Sequence, residues 1–308
     1  MAHSILSVAD IPRDDLNDIF SWTLKTKERL KKNESVHVLD NKVVGLLFEK
    51  PSTRTRTSFQ TAIMKLGGQA IYLPSSELQL SRGEPIKDTA RILGSYLDAI
   101  VARVYKHQTV VDLAQFSELP VFNGLSDLEH PTQIICDLLT IREVKGDLEG
   151  LTLAFIGDGN NVSNSLLLGA AATGMNMNLA CPEGYDPDTQ ILKLAERIAS
   201  ETGSKLDIVR SPETASKDAD ILYTDVWVSM GEEGEKEKRL KTFKSYQINS
   251  DLLALAADDA VVMHCLPAHR GLEITDEVIE GTQSIVWLQG ENKLYGAIGL
   301  LNYFLGGN

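Results

Sequence analysis

Apolar and polar positions alternate between two periods along this 308-residue chain. Short, mostly apolar runs at 43–48, 70–73, 99–104 and 120–122 have the length of buried strands. Between them, 57–66, 85–97 and 109–116 carry apolar residues at every third or fourth position, which predicts helices. An opening helix over 14–32 follows Pro12, with Leu16, Ile19, Phe20, Leu24 and Leu30 on its apolar face. A longer helix over 130–145 has Pro131 in its first turn, a position that proline suits. The pattern then repeats: strands at 153–156, 178–181, 206–209, 221–223, 261–264 and 285–288, helices at 163–172, 191–202 and 252–257, and a terminal helix over 292–305. Strand–helix alternation predicts parallel sheets covered on both faces, with right-handed crossovers. A length of 308 residues suits two cores of about 150 residues each. The expected fold is therefore α/β, with two doubly wound parallel-sheet domains joined by interdomain helices. No low-complexity linker separates the halves, so the helix at 130–145 is the expected junction. The boundaries are 1–145, with helix 292–308 packing back on it, and 146–291.

Composition narrows the class. Hydrophobic residues make up 43% and charged residues 24%, and no apolar run approaches the roughly 18–20 residues that span a bilayer. The first residues lack a basic stretch followed by a long apolar core, and the three cysteines, Cys136, Cys181 and Cys265, are widely spaced and odd in number. Both features point to free thiols in a reducing, cytoplasmic setting. A net charge of −13 weighs against nucleic acid or an anionic membrane as partner. That charge is uneven: residues 50–106 hold nine basic against four acidic residues, a local +5 that leaves −18 elsewhere. A basic region inside an acidic chain suits a small anionic ligand.

Five strand ends and one helix start carry candidate chemistry. In the first half, Ser52-Thr53-Arg54-Thr55 lies where an apolar strand gives way to a helix. Helix N-termini expose unpaired N–H groups and the positive end of a dipole, and a guanidinium adds a two-pronged donor. The stretch reads either as a capped helix with a solvated basic face or as an oxyanion cradle, and the cradle is favoured. Arg103 ends another strand, at the edge where parallel sheets place ligands. His130 and Gln133 stand one turn apart at a helix start, able to donate to one oxygen as it gains charge, although a lone histidine there also serves as a cap.

The second half is less direct. Gly157-Asp158-Gly159-Asn160-Asn161 follows a strand, but Val162 replaces the third glycine of a dinucleotide fingerprint, so nicotinamide binding is not expected. Asn161 either caps the following helix or holds a carboxylate. Asp225 precedes Ser229-Met230-Gly231 and a charged stretch reaching about Lys241, readable as a solvated loop or as a lid over an ammonium. His264-Cys265-Leu266-Pro267 closes another strand and leads to His269. A metal reading of His264, Cys265 and His269 lacks a fourth ligand at usual spacing, a nucleophilic Cys265 lacks a local base, and a thiol that orients an amine remains.

With those residues in view, the chain resembles the ornithine carbamoyltransferases over nearly its whole length. The Ser-Thr-Arg-Thr and His-Pro-x-Gln motifs are shared with aspartate carbamoyltransferases. Asp225-x-x-x-Ser229-Met230-Gly231 and His264-Cys265-Leu266-Pro267 are the ornithine-type pair. The resemblance implies that Ser52, Thr53, Arg54, Thr55, Gln79, Arg103, His130, Gln133, Cys265, Leu266 and Lys293 contact carbamoyl phosphate. It places Asn161, Asp225, Ser229, Met230, Cys265 and Leu266 around ornithine, with Arg54, Arg103, His130, Gln133, Asp225 and Cys265 as the catalytic set. Gln79 falls where members reach a neighbouring subunit, which implies a homotrimer or a multiple of trimers. Lys293 stands where many members carry arginine, keeping the charge but losing the bidentate fork. No metal or organic cofactor is implied. The rival readings are a transcarbamoylase using putrescine or an acylated ornithine, and a catalytically silent subunit.

Overall fold

The computed structural model describes residues 4–228 and 233–306, and the chain divides into two compact units, 1–143 with 291–308, and 144–290. In the first unit the order is α1 (Arg13–Lys31), β1 (Val43–Phe48), α2 (Thr53–Lys65), β2 (Gln69–Pro74), α3 (Ile86–Gly94), β3 (Ala99–Arg103), α4 (His107–Ser117), β4 (Val121–Leu125) and α5 (Pro131–Lys145). The second contains β5 (Thr152–Ile156), α6 (Asn161–Thr173), β6 (Asn176–Ala180), α7 (Thr189–Thr202), β7 (Leu206–Val209), α8 (Pro212–Ser216) and β8 (Ile221–Thr224). It continues through α9 (Lys236–Thr242), α10 (Ser250–Leu253), β9 (Val261–His264) and α11 (Asp276–Ile279) into α12 (Val286–Leu305). The chain passes from one unit to the other inside α5 and returns inside α12. Among the described residues no helix is long and apolar enough to cross a membrane.

Both sheets are wholly parallel, ordered β2-β1-β3-β4 and β7-β6-β5-β8-β9. Each order reverses once, between β1 and β3 and between β5 and β8, so successive connections leave in opposite directions and open a crevice at the strands' carboxyl ends. Core strands are apolar on both faces because helices cover both: Val44, Leu46, Ile100 and Val101 are fully buried, as are Ala154, Phe155 and Leu222. The last stretch of α12 belongs to the first unit. Lys27 of α1 donates to Glu143 of α5 and to Asn292 of α12, each at 2.8 Å. Gly296 lets that packing close up, because a Cβ there would stand 2.5 Å from Cys136 Sγ.

The structure departs from the sequence pattern at four places. The apolar run at 285–288 is not a strand: only Ser284 bridges Val262, and α12 starts at Val286, whose side chain enters the core. Helical spacing continuing beyond the run outweighs one β-bridge. The helix expected over 57–66 begins at Thr53, because Ser52 caps it by accepting the Thr55 N–H at 3.2 Å. The helix expected over 252–257 is only α10, capped by Asn249. Residues 236–242, in the stretch readable as a solvated loop or a lid, form the helix α9, anchored by Arg239, which is 6% exposed, pairs with Asp158 at 2.7 Å and donates to the Trp227 carbonyl at 3.1 Å.

Candidate active site

In the first unit, the switch point between β1 and β3 gathers cations. Phe48 and Arg103 are register partners, so the turn leaving β1 and the Arg103 side chain meet at one sheet edge. Because α2 starts at Thr53, the Ser52 to Thr55 stretch is the helix's own first turn, and no acidic residue lies in that turn to compete with an anion. Thr55 is buried and Arg54 half-buried, while Arg56 turns away to stack on the Tyr72 ring, 3.5 Å from its centroid. Arg103 is 8% exposed.

His130 and Gln133 sit at the start of α5, both buried. Burial pushes the His130 ring well below its ordinary 6.5, and the positive charges of Lys293 and Arg103 push it the same way. The ring is therefore a neutral imidazole at neutral pH. Gln133 donates through Nε2 to Asp137 at 2.8 Å and accepts from Lys293 Nζ through Oε1. An amide nitrogen carries two hydrogens, so the Asp137 bond leaves one for a substrate oxygen. Lys293 arrives from α12 and joins this group, which periodicity alone could not place. The assembly combines a helix N-terminus, two guanidinium groups, a buried ammonium and two neutral donors, a set suited to an anion bearing a carbonyl that gains charge. Gln79 stands apart on an exposed single turn, 3.5 Å from Arg82 Nη1.

The second unit's switch point, between β5 and β8, carries acids and amides. Gly157 has φ 156°, and Gly159 is packed so tightly that a Cβ would lie 2.3 Å from the Asp186 backbone. The glycines of this turn therefore answer to folding and not to a dinucleotide. The α6 cap is Asn160, whose Oδ1 accepts from Val162 and Ser163 at 2.9 and 3.1 Å; Asn161 is the first helical residue, half-buried. Asn160 also donates to Asp225 Oδ2 at 3.0 Å, and Cys265 Sγ donates to Asp225 Oδ1 at 3.0 Å. Asp225, His264 and Cys265 offer donor atoms within 4.8 Å of one another. Both His264 ring nitrogens are already in hydrogen bonds: Nδ1 accepts the Leu266 N–H at 2.9 Å and Nε2 faces Glu273 at 3.1 Å. His269, the third member of the metal reading, has an exposed ring. A carboxylate flanked by an amide and a thiol is a receptor for an amine or ammonium.

The structure thus places Ser52, Thr53, Arg54, Thr55, Arg103, His130, Gln133 and Lys293 in one unit, where His130 lies beside Lys293 and Arg103 and Lys293 bonds Gln133, and Asn161, Asp225, Cys265 and Leu266 in the other, where Cys265 bonds Asp225. Ser229 and Met230 lie outside the described residues. Sequence reasoning missed Asn160, Arg239 and Glu273. The N-cap rule signals Asn160, since asparagine just ahead of a helix favours that place; nothing local signals the other two.

Two family descriptions match the chain: aspartate/ornithine carbamoyltransferase, carbamoyl-P binding domain, over residues 3–143, and the Asp/Orn binding domain of the same family over residues 149–304. The chain is 54% identical over 302 residues to an ornithine carbamoyltransferase of Archaeoglobus fulgidus, covering 98% of this chain and 97% of that one. It is 50% identical over 301 residues to one from Methanosarcina mazei, covering 98% of each. The solved ornithine carbamoyltransferase of Pyrococcus furiosus superposes with a TM-score of 0.96 at 45% identity, covering 100% of this chain and 98% of that chain.

Proposed function

The chain belongs to the aspartate/ornithine carbamoyltransferase family, and from that premise we propose that it moves the carbamoyl group of carbamoyl phosphate to the δ-amine of L-ornithine, giving L-citrulline and phosphate. The observation that carries the choice of acceptor is the Cys265–Asp225 contact at 3.0 Å, a thiol and carboxylate at the strand ends where an amine is to be held. The first unit supplies the carbamoyl phosphate site. Ser52, Thr53, Thr55 and Arg103 hold the phosphate, and Arg54 serves both phosphate and carbonyl. His130 and Gln133 donate to the carbonyl oxygen. Lys293, bonded to Gln133, supports that oxygen site as a charge without a fork. Asn161, Asp225, Ser229 and Met230 take the α-groups of ornithine, and Cys265 with the Leu266 carbonyl faces its δ-amine.

The amine must be neutral to attack. With a lysine-like pKa near 10.4, about one molecule in 10³ is neutral at pH 7, a cost of roughly 4–5 kcal/mol. Loss of a proton on binding meets that cost. The nitrogen lone pair then forms a bond to the carbamoyl carbon, and the carbonyl pair moves to oxygen, where Arg54, His130 and Gln133 stabilise it. Collapse breaks the carbon–oxygen bond to phosphate, which leaves with the amine's proton. His130 fits this role as a neutral donor, because burial, and after it the charges of Lys293 and Arg103 beside it, disfavour its protonation.

The test is citrulline formation with ornithine, putrescine, N-acetylornithine and aspartate offered in turn. Ornithine should be turned over fastest by at least tenfold; preference for another acceptor, or no turnover of any, would replace this assignment. We also propose a cytoplasmic homotrimer or multiple of trimers in which the exposed Gln79 completes a neighbour's site. Mixing inactive Arg54→Ala and Gln79→Ala chains should restore activity in hybrid assemblies, whereas self-contained sites would stay inactive.

A further inference from the structure

We propose that Glu273, which lies outside every motif described above, is a positioning residue that sets the Cys265 and Leu266 edge of the amine site; the inference rests on the transfer reaction assigned above. The starting point is a polar side chain in the core. His264 ends β9 and is 0% exposed, and Glu273 is likewise 0% exposed. Buried polar groups persist only where their hydrogen bonds are made.

The hydrogen bonds run in one direction. The His264 N–H donates to Gln289 Oε1 at 2.8 Å, and Gln289 Nε2 donates to the Tyr223 hydroxyl at 3.1 Å, which pins the backbone. The Leu266 N–H can only donate, and it points at His264 Nδ1 from 2.9 Å. Nδ1 is therefore the acceptor nitrogen and the ring hydrogen sits on Nε2. Nε2 is 3.1 Å from Glu273 Oε1, which accepts it; the same oxygen accepts the His269 N–H. The carboxylate thus selects the tautomer, and the tautomer captures the Leu266 N–H. Leu266 has φ 58°, the left-handed region that a branched residue rarely adopts, so its backbone needs such a restraint. Its conformation aims the Leu266 carbonyl and, one residue earlier, the Cys265 thiol that reaches Asp225. With the hydrogen on Nδ1 instead, two donors would face each other and the turn would have to rearrange. Glu273 touches no substrate; it acts through His264, as outer partners of ligand-binding histidines do.

The test separates this role from simple stability. Glu273→Ala should lower kcat/KM for ornithine by tenfold or more while leaving the KM for carbamoyl phosphate within twofold. Glu273→Gln should recover most of the loss, because its amide oxygen still accepts from Nε2. Among the described residues Glu273 Oε2 has no hydrogen-bond partner, and it lies 3.8 Å from His269 Nδ1, so an amide NH2 there meets no close donor. Equal losses for both substrates, or a glutamine variant as impaired as the alanine one, would overturn the proposal. Nitrogen NMR of the unsubstituted, histidine-labelled protein tests it without any variant. His264 should show a protonated Nε2 and an unprotonated Nδ1, and the reverse tautomer or a doubly protonated ring would refute the relay. A wild-type chain that makes no citrulline would instead remove the reaction assignment and leave the tautomer result standing.

Discussion

At the first unit's switch point Arg103 is the register partner of Phe48, just ahead of the α2 N-terminus that carries Arg54, and Lys293 joins Gln133 at the start of α5; at the second unit's, Asp225 accepts from an amide and a thiol. Strand order places both crevices by the same rule, at the carboxyl ends of strands whose connections diverge. In the proposed reaction the side chains make one crevice the receptor for the dianion and the other the receptor for the amine. Topology chose the place and local charge chose the ligand. The contrast extends to histidine. His130, beside two cations, is kept neutral by burial and repulsion, whereas His264 is held in one tautomer by a buried carboxylate.

The largest expected effect is at Arg54. Arg54→Ala should lower kcat by about 10²–10³, the usual cost of losing one donor to a developing oxyanion. Less than a fivefold loss in steady-state turnover would remove Arg54 from the anion crevice's machinery. On the other side, Asp225→Asn should raise the KM for ornithine by about 10–10²-fold, since bonds to a charged acceptor contribute about 1.5–3 kcal/mol. Titration with a carbamoyl phosphate analogue should be unaffected by it, and weakened analogue binding would mean that the two crevices do not divide the ligands as assigned.

Cys265→Ser should cost ornithine use about three- to tenfold and leave carbamoyl phosphate affinity unchanged, because a hydroxyl still donates to Asp225. A nearly inactive serine variant with a carbamoylated thiol trapped in the wild type by mass spectrometry would replace direct attack with a covalent route. The other two thiols provide an internal control: burial pushes Cys136 up to about 12 and Cys181 up to about 11, so neither should be alkylated in the native protein at pH 8.

The smallest effect is on stability. A histidine whose folded pKa is lowered takes up its proton first in the unfolded chain as the pH falls. The His130 contribution is therefore intact above 6.5 and declines as pH drops from 6.5 toward the lowered folded value, by up to about 1.4 kcal/mol per pH unit. Denaturant titrations should show this decline in the wild type and a shallower one in His130→Gln. An unchanged slope would mean that the ring takes up its proton as readily folded as unfolded.

Much of the fold and half of the site could be read from the chain itself. Apolar runs and helical spacing report neighbours within about four residues, so they located the nine strands of the described residues and the His130–Gln133 pair, but they started α2 four residues late and did not place Ser52 as its cap. The same short reach explains the misreading at 285–288, where a β-like run starts α12 because its partner strand β9 offers only one bridge. What tertiary structure alone decided lies at long separation. Lys293 joins Gln133 from 160 residues away, Arg239 meets Asp158 across 81, and Glu273 reaches His264 through a turn rather than along a helix face. Local periodicity states which face of an element is buried; which elements share that burial follows from strand order and packing, and it was there that a lysine, an arginine and a glutamate acquired their partners.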